Sequence, residues 1–152
     1  MILADGYPGQ ITEMDASLFE KAQGKKLGLY VEYPSFIPGV EMGKPRGTQW
    51  ERAVISSDAF APELHKLRIL AIHDCRFVPI ETADPDIVVA RVAGFDSAVY
   101  GLPKKTFPVL TEIPLPDDKG GLLVSTTKLS QFITGRYAPS DAWPAIWKHI
   151  FA

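Results

Sequence analysis

The spacing of apolar positions changes period along the chain, and the changes mark its elements. Met1 to Ala4 reads as a short buried strand, followed by the turn Asp5-Gly6-Tyr7-Pro8-Gly9. Met14, Leu18, Phe19 and Ala22 recur at helical spacing. Thr12 and Asp15 stand as a capping box before them and Gly24 as the stop after them. Lys26 to Tyr33 alternates, which predicts a strand with Leu27, Leu29, Val31 and Tyr33 on one face. Strand, helix and strand in that order predict two parallel strands joined by a right-handed crossover.

Pro34 to Gly47 is a Pro- and Gly-rich loop, and Gln49 to Ser56 a strand. Ser57 to Leu67 reads as a helical turn or loop. Leu67 to His73 and Arg76 to Glu81 are predicted strands with a kink at Asp74-Cys75. Ile87 to Ala93 is a further strand, and Ala98 to Leu102 and Pro108 to Ile113 are shorter ones. The run Asp117-Asp118-Lys119-Gly120-Gly121 is the clearest turn signal. It predicts a hairpin of Val109–Ile113 with Leu122–Thr126. The last helix has Ser140 as N-cap, Asp141 in its first turn, and Pro144 where a missing N–H costs little. Trp143, Ile146, Trp147, Ile150 and Phe151 then form one apolar stripe. These elements predict a single α/β domain over residues 1–152, with one mixed sheet, few helices and a β-rich second half.

Composition narrows the function classes. The 152 residues carry a net charge of -2, with no basic block longer than Lys25-Lys26 or Lys104-Lys105. That excludes the dense cationic footprint a nucleic-acid partner needs. The longest apolar runs are about five residues, far short of the roughly 20 of a membrane helix. One Cys rules out an internal disulfide. The chain starts in a strand pattern and stops in a helix pattern, so an excised domain, or a short reading frame related to one, is expected.

No catalytic motif stands out, so candidate residues are weighed singly. Cys75 is the one thiol, with His73 on its strand face and Arg76 beside it to lower its pKa. It lacks the small neighbours of a nucleophile elbow, which suits a buried structural Cys. His73, Cys75 and either His65 or His149 have no paired ligand spacing, so no metal site is expected. Glycoside hydrolysis needs two carboxylates about 5–9 Å apart. Asp5 and Glu32, each at the carboxyl end of a predicted parallel strand, are the foremost pair among Asp5, Glu32, Glu81, Asp86 and Asp96. The plainer reading makes Asp5 a turn cap and Glu32 an Arg partner. Arg46, Trp50, Tyr100, Arg136 and Tyr137 offer aromatic faces and guanidinium groups for a sugar platform. For Arg136 and Tyr137 the alternative is a joint between sheet and last helix. Gly6-x-x-Gly9 lacks the rest of a phosphate loop.

Four segments together carry a family resemblance: QWERAVISSDAF, LRILAIHDCRFVP, VVARVAGFDSAVYGLP and LLVSTTKLSQFITGRYAP. They resemble the glutamine-amidotransferase-like, flavodoxin-like accessory domain of bacterial glycoside hydrolases, particularly six-hairpin and rhamnosidase-like enzymes. The resemblance runs from Leu3 to Ile150. It implies an amidotransferase shape, a flavodoxin-like, mixed but mostly parallel sheet, without the chemistry, since neither Gly-x-Cys-x-Gly nor His-x-Glu occurs here. The implied role is a non-catalytic domain in polysaccharide degradation, needing no cofactor, in a periplasmic or secreted protein. Its partner would be a neighbouring catalytic domain, an oligomer partner or a glycan. The alternative is a small hydrolase of glycans or related esters, using Asp5, Glu32 or Cys75.

Overall fold

The computed structural model describes residues 1–70, 75–115, 120–129 and 140–152. Its centre is a six-stranded mixed sheet curved into a half-barrel. The strands are β1 (Leu29–Glu32), β3 (Arg52–Ile55), β4 (Ile69–Leu70), β6 (Ile87–Ala90), β7 (Phe107–Ile113) and β8 (Leu122–Ser125). Their order across the sheet is β1-β8-β7-β6-β3-β4. A separate ribbon pairs β2 (Arg46–Gly47) with β5 (Arg76–Phe77). The described helices are α1 (Ala16–Gly24) and α2 (Ala142–Phe151).

This corrects the expectation of a flavodoxin-like, mostly parallel α/β sheet. Only β1 and β8 pair in parallel; β8–β7, β7–β6, β6–β3 and β3–β4 are all antiparallel. A parallel sheet needs a crossover, usually a helix, between successive strands. Among the described residues one such unit occurs, at the start of the chain. Ile2 bridges Val31 in parallel, with α1 in between. From β3 onward the described connections hold turns and extended chain instead, and antiparallel pairs need no crossover.

Local chemistry explains the boundaries. Asp15, not Thr12, caps α1: its carboxylate accepts the Leu18 N–H. Ile113 pairs with Leu122, so the predicted hairpin forms, although most of its turn lies outside the described residues. Pro108 sits inside β7 beside a register shift at Ile87/Val88, the kind of irregularity that tolerates a missing donor. The predicted strand at Ala98–Leu102 is absent, and Ser97 makes a lone bridge to Arg68.

Both faces of the sheet are covered. On one, Tyr30, Ala53, Ile55, Val89 and Val109 pack under Ala142 and Ile146 of α2. On the other, Val31, Val124 and Leu122 pack with Tyr33, Ile37 and Phe19 of α1. Further along that face Val54, Val88 and Ala90 lie against Ile69 and Ala98. Double coverage is why β1 does not alternate in burial: Tyr30, Val31 and Glu32 are all inside.

Within the α2 stripe, Ile146 is 1% exposed while Phe151 is 70% exposed. Ile146→Ala should therefore destabilise the fold by about 2–5 kcal/mol. Phe151→Ala should stay within about 0.5 kcal/mol. Urea unfolding of the two variants checks this contrast.

Candidate functional site

Two groups of polar side chains gather on either side of β5, the first reaching Arg76 and the second Phe77. The first sits at the carboxyl ends of β1 and β8. Glu32, last in β1, is 1% exposed. Its Oε1 accepts from the Tyr30 hydroxyl at 3.0 Å and from the Leu129 N–H at 3.2 Å. Its Oε2 accepts from the Ala4 N–H at 3.2 Å. Two residues past β8, Thr127 donates to the Arg76 carbonyl at 2.7 Å. The Tyr7 hydroxyl accepts from the Arg76 N–H at 2.6 Å and also contacts the Cys75 thiol. Ser125 and Thr126 turn their hydroxyls to the carbonyls of Thr127 and Pro108. Glu32, Cys75, Ser125, Thr126 and Thr127 are buried and Tyr7 is half-buried, and the group's hydrogen bonds are made within the protein.

Burial, then the charge of Glu32 and the hydrogen bond to it, hold the Tyr30 hydroxyl in its neutral form far above the ordinary tyrosine range. Burial also raises Tyr7, with the Thr127 and Arg76 hydrogen bonds opposing it.

The second group lies around the β2–β5 ribbon and the neighbouring ends of β3 and β6. Arg46 grips Glu51 with two bonds, Nη2 to Oε1 at 2.7 Å and Nη1 to Oε2 at 3.1 Å. The Gln49 N–H adds a third donor to Glu51 at 2.7 Å. Burial raises the Glu51 pKa, but the Arg46 and Gln49 hydrogen bonds outweigh it and hold the carboxyl below its usual range. The Arg46 guanidinium also stacks on Phe77 and Phe107, 4.5 and 4.9 Å from their centroids. Next to this pair a cleft of about 450 Å³ is lined by Arg46, Gln49, Glu51, Arg91, Lys105 and Phe107, among others. Trp50, between two lining residues, is 91% exposed and held at φ 61°.

The candidate residues from the sequence divide between these places. Arg46 lines the cleft, and Trp50 does not line it but lies between the lining residues Gln49 and Glu51 in sequence. Glu32 and Cys75 belong to the buried group, and Asp5 is exposed on the N-terminal turn, outside it. Glu32 pairs with amides and a phenol rather than an Arg. Arg76 sends its guanidinium to the Pro45 carbonyl. Tyr100 is 88% exposed and does not line the cleft. Arg136, Tyr137 and His73 lie outside the described residues. His65 is exposed, and His149 lies 3.4 Å from Asp86 with its ring against Phe60. Among the described residues no three His, Cys, Asp or Glu converge as a metal site. Glu51, Arg91, Lys105 and Phe107 were not singled out from sequence. Their one advance signal is strand register: Arg52 pairs with Ala90, so Glu51 and Arg91 fall opposite each other next along.

Comparison with protein-family models, curated proteins and solved structures gives no match.

Two expectations follow for the buried group. Glu32→Gln puts an NH₂ where only donors approach, and should cost about 1–3 kcal/mol in urea unfolding. The raised tyrosines give a pH signature. The folded state keeps protons that the unfolded chain releases near pH ~10. Stability should thus be intact below about pH 10 and fall as pH rises beyond it. Tyr30→Phe should begin less stable by about 0.5–1.5 kcal/mol yet fall less steeply. An equally steep fall in that variant would remove Tyr30 as the cause.

Proposed function

We propose that this chain is a non-catalytic binding domain that serves a carbohydrate-active catalytic partner. The observation that carries the reading is Trp50, 91% exposed beside the cationic cleft in a left-handed backbone conformation. A bulky residue at positive φ is a steric outlier, and such strain concentrates at binding sites. An exposed indole has a flat apolar face suited to stacking on the C–H face of a sugar ring. The carbohydrate-active partner is inferred from the resemblance of the four segments named above.

The partner half of the reading has its own support. Phe95, Val99 and Tyr100 are exposed by 85%, 67% and 88% in one loop. That loop is shaped on purpose rather than frayed. Arg52 donates to the Gly94 carbonyl, and the Val99 N–H to that of Ala93. Gly94 is at φ 129°, where a Cβ would run into the Ser97 carbonyl. Fixed, exposed aromatic surface of this sort marks interaction sites.

The hydrolase alternative needs a reachable base or nucleophile. Glu32 and Cys75 are each 1% exposed, and three donors already occupy the carboxylate. Of the three only Asp5 is exposed, and the carboxylate it would work with, Glu32, is buried and already held by three donors.

Trp50 gives the test. Trp50→Gly relieves the backbone conformation and removes the indole. It should unfold at a urea concentration no lower than the wild type while losing glycan binding on an array. A variant that keeps full glycan binding, or a wild type that binds no glycan, would overturn the carbohydrate reading.

A further inference from the structure

We infer that the cleft beside Trp50 takes a carboxylate-bearing sugar, a uronate unit of an acidic polysaccharide, with its carboxylate between Arg91 and Lys105. This rests on the glycan-binding reading of Trp50 and adds the charge of the ligand to it.

The inference comes from charge accounting in the cleft. Three cations line it, Arg46, Arg91 and Lys105, against one carboxylate, Glu51. Arg46 and Glu51 consume each other. Their two bonds, the Gln49 amide and the stacking on Phe77 and Phe107 leave neither available to a ligand. Arg91 is different. Its Nε donates to the Gln49 carbonyl at 3.1 Å, which fixes the plane of the guanidinium. Its two terminal NH₂ groups have no acceptor among the described residues. Lys105 sits 5.5 Å over the Phe107 ring and likewise has no carboxylate partner there. Arg91 is close enough to Glu51 to help lower its pKa, but that one carboxylate is shared with Arg46, so the cleft still holds three cations against a single negative charge on a chain whose net charge is -2.

The shape agrees with a sugar rather than with a bare anion. At about 450 Å³ the cleft falls in the range that holds small organic ligands, about 300–1,000 Å³. It has apolar surface in Phe107 and Pro103 next to the cations, and Trp50 sits in sequence between the lining residues Gln49 and Glu51. A uronate presents that combination, a ring with one apolar face and a planar carboxylate at its edge. The carboxylate suits bidentate donation from an Arg whose plane is already set.

The probes are oligogalacturonate, its methyl ester, a neutral oligosaccharide and a sulfated one, titrated by calorimetry at low and at high salt. Oligogalacturonate should bind, weaken with salt, and bind at least about tenfold more tightly than its methyl ester. Arg91→Gln and Lys105→Gln, on exposed side chains outside the Arg46–Glu51 pair, should each weaken it about tenfold and flatten the salt dependence. Equal binding of acid and ester, abolished by Trp50→Ala but untouched by Arg91→Gln, would overturn the uronate assignment and leave the glycan reading standing. Binding of the sulfated probe alone would overturn the carboxylate assignment in the same way. No binding of any of the four would sink the glycan reading itself.

Discussion

The Glu32 carboxylate lies inside the protein with no Lys, Arg or His paired to it among the described residues, and donors from three separate segments close on its two oxygens. An unpaired buried carboxylate is costly, and neutral donors offset that cost only when all are in place. The donors belong to the chain start at Ala4, to β1 itself through Tyr30, and to the exit of β8 at Leu129. Glu32 therefore fixes the N-terminal segment and the chain past β8 against the edge strand. The one parallel pairing of the sheet, β1 with β8, sits directly beneath this knot. Next to it, Tyr7, Cys75 and Thr127 tie the ribbon strand β5 to the same end of the sheet.

That constraint separates two kinds of polar chemistry in the molecule. Around Glu32 the hydroxyls, amides and thiol are inward-facing and spent on one another. Around Arg46 and Glu51 an internal ion pair is likewise spent, but it serves as a floor. Beside it Arg91 and Lys105 are exposed, Arg91 anchored by one bond from Nε to the Gln49 carbonyl and Lys105 over the Phe107 ring, and Trp50 stands in solvent. The strained φ of Trp50 belongs to this second place and serves no packing, since the side chain is almost wholly in solvent. The Arg46 stack on Phe77 and Phe107 joins the two regions mechanically, because Phe77 is both a core residue and part of β5.

Much of the strand content was legible because turn chemistry and apolar runs bracket it. The β7–β8 hairpin and the core of α2 are clear examples. The sheet's direction was not. The strand–helix–strand unit at the start predicted one parallel pair and the family resemblance a mostly parallel sheet, while the described residues of the later strand connections hold no helix to support it. The phase of β1 was hidden by burial on both faces, and Glu32 reads as a strand-end carboxylate until Ala4 and Leu129 are seen to reach it. Arg46 and Trp50 could be named from residue type alone. Arg91, Lys105 and Phe107 could not, because they converge from separate strands and a loop through register that periodicity does not reveal.

The account holds that ligand chemistry resides at the cleft beside Trp50 and that the Glu32 group is structural. Amide and indole chemical-shift mapping during titration with oligogalacturonate tests this most directly. The account predicts shifts centred on Trp50, Gln49, Arg91 and Lys105, with Tyr7, Glu32 and Cys75 unmoved. Shifts centred on Tyr7, Glu32 and Cys75 would contradict it.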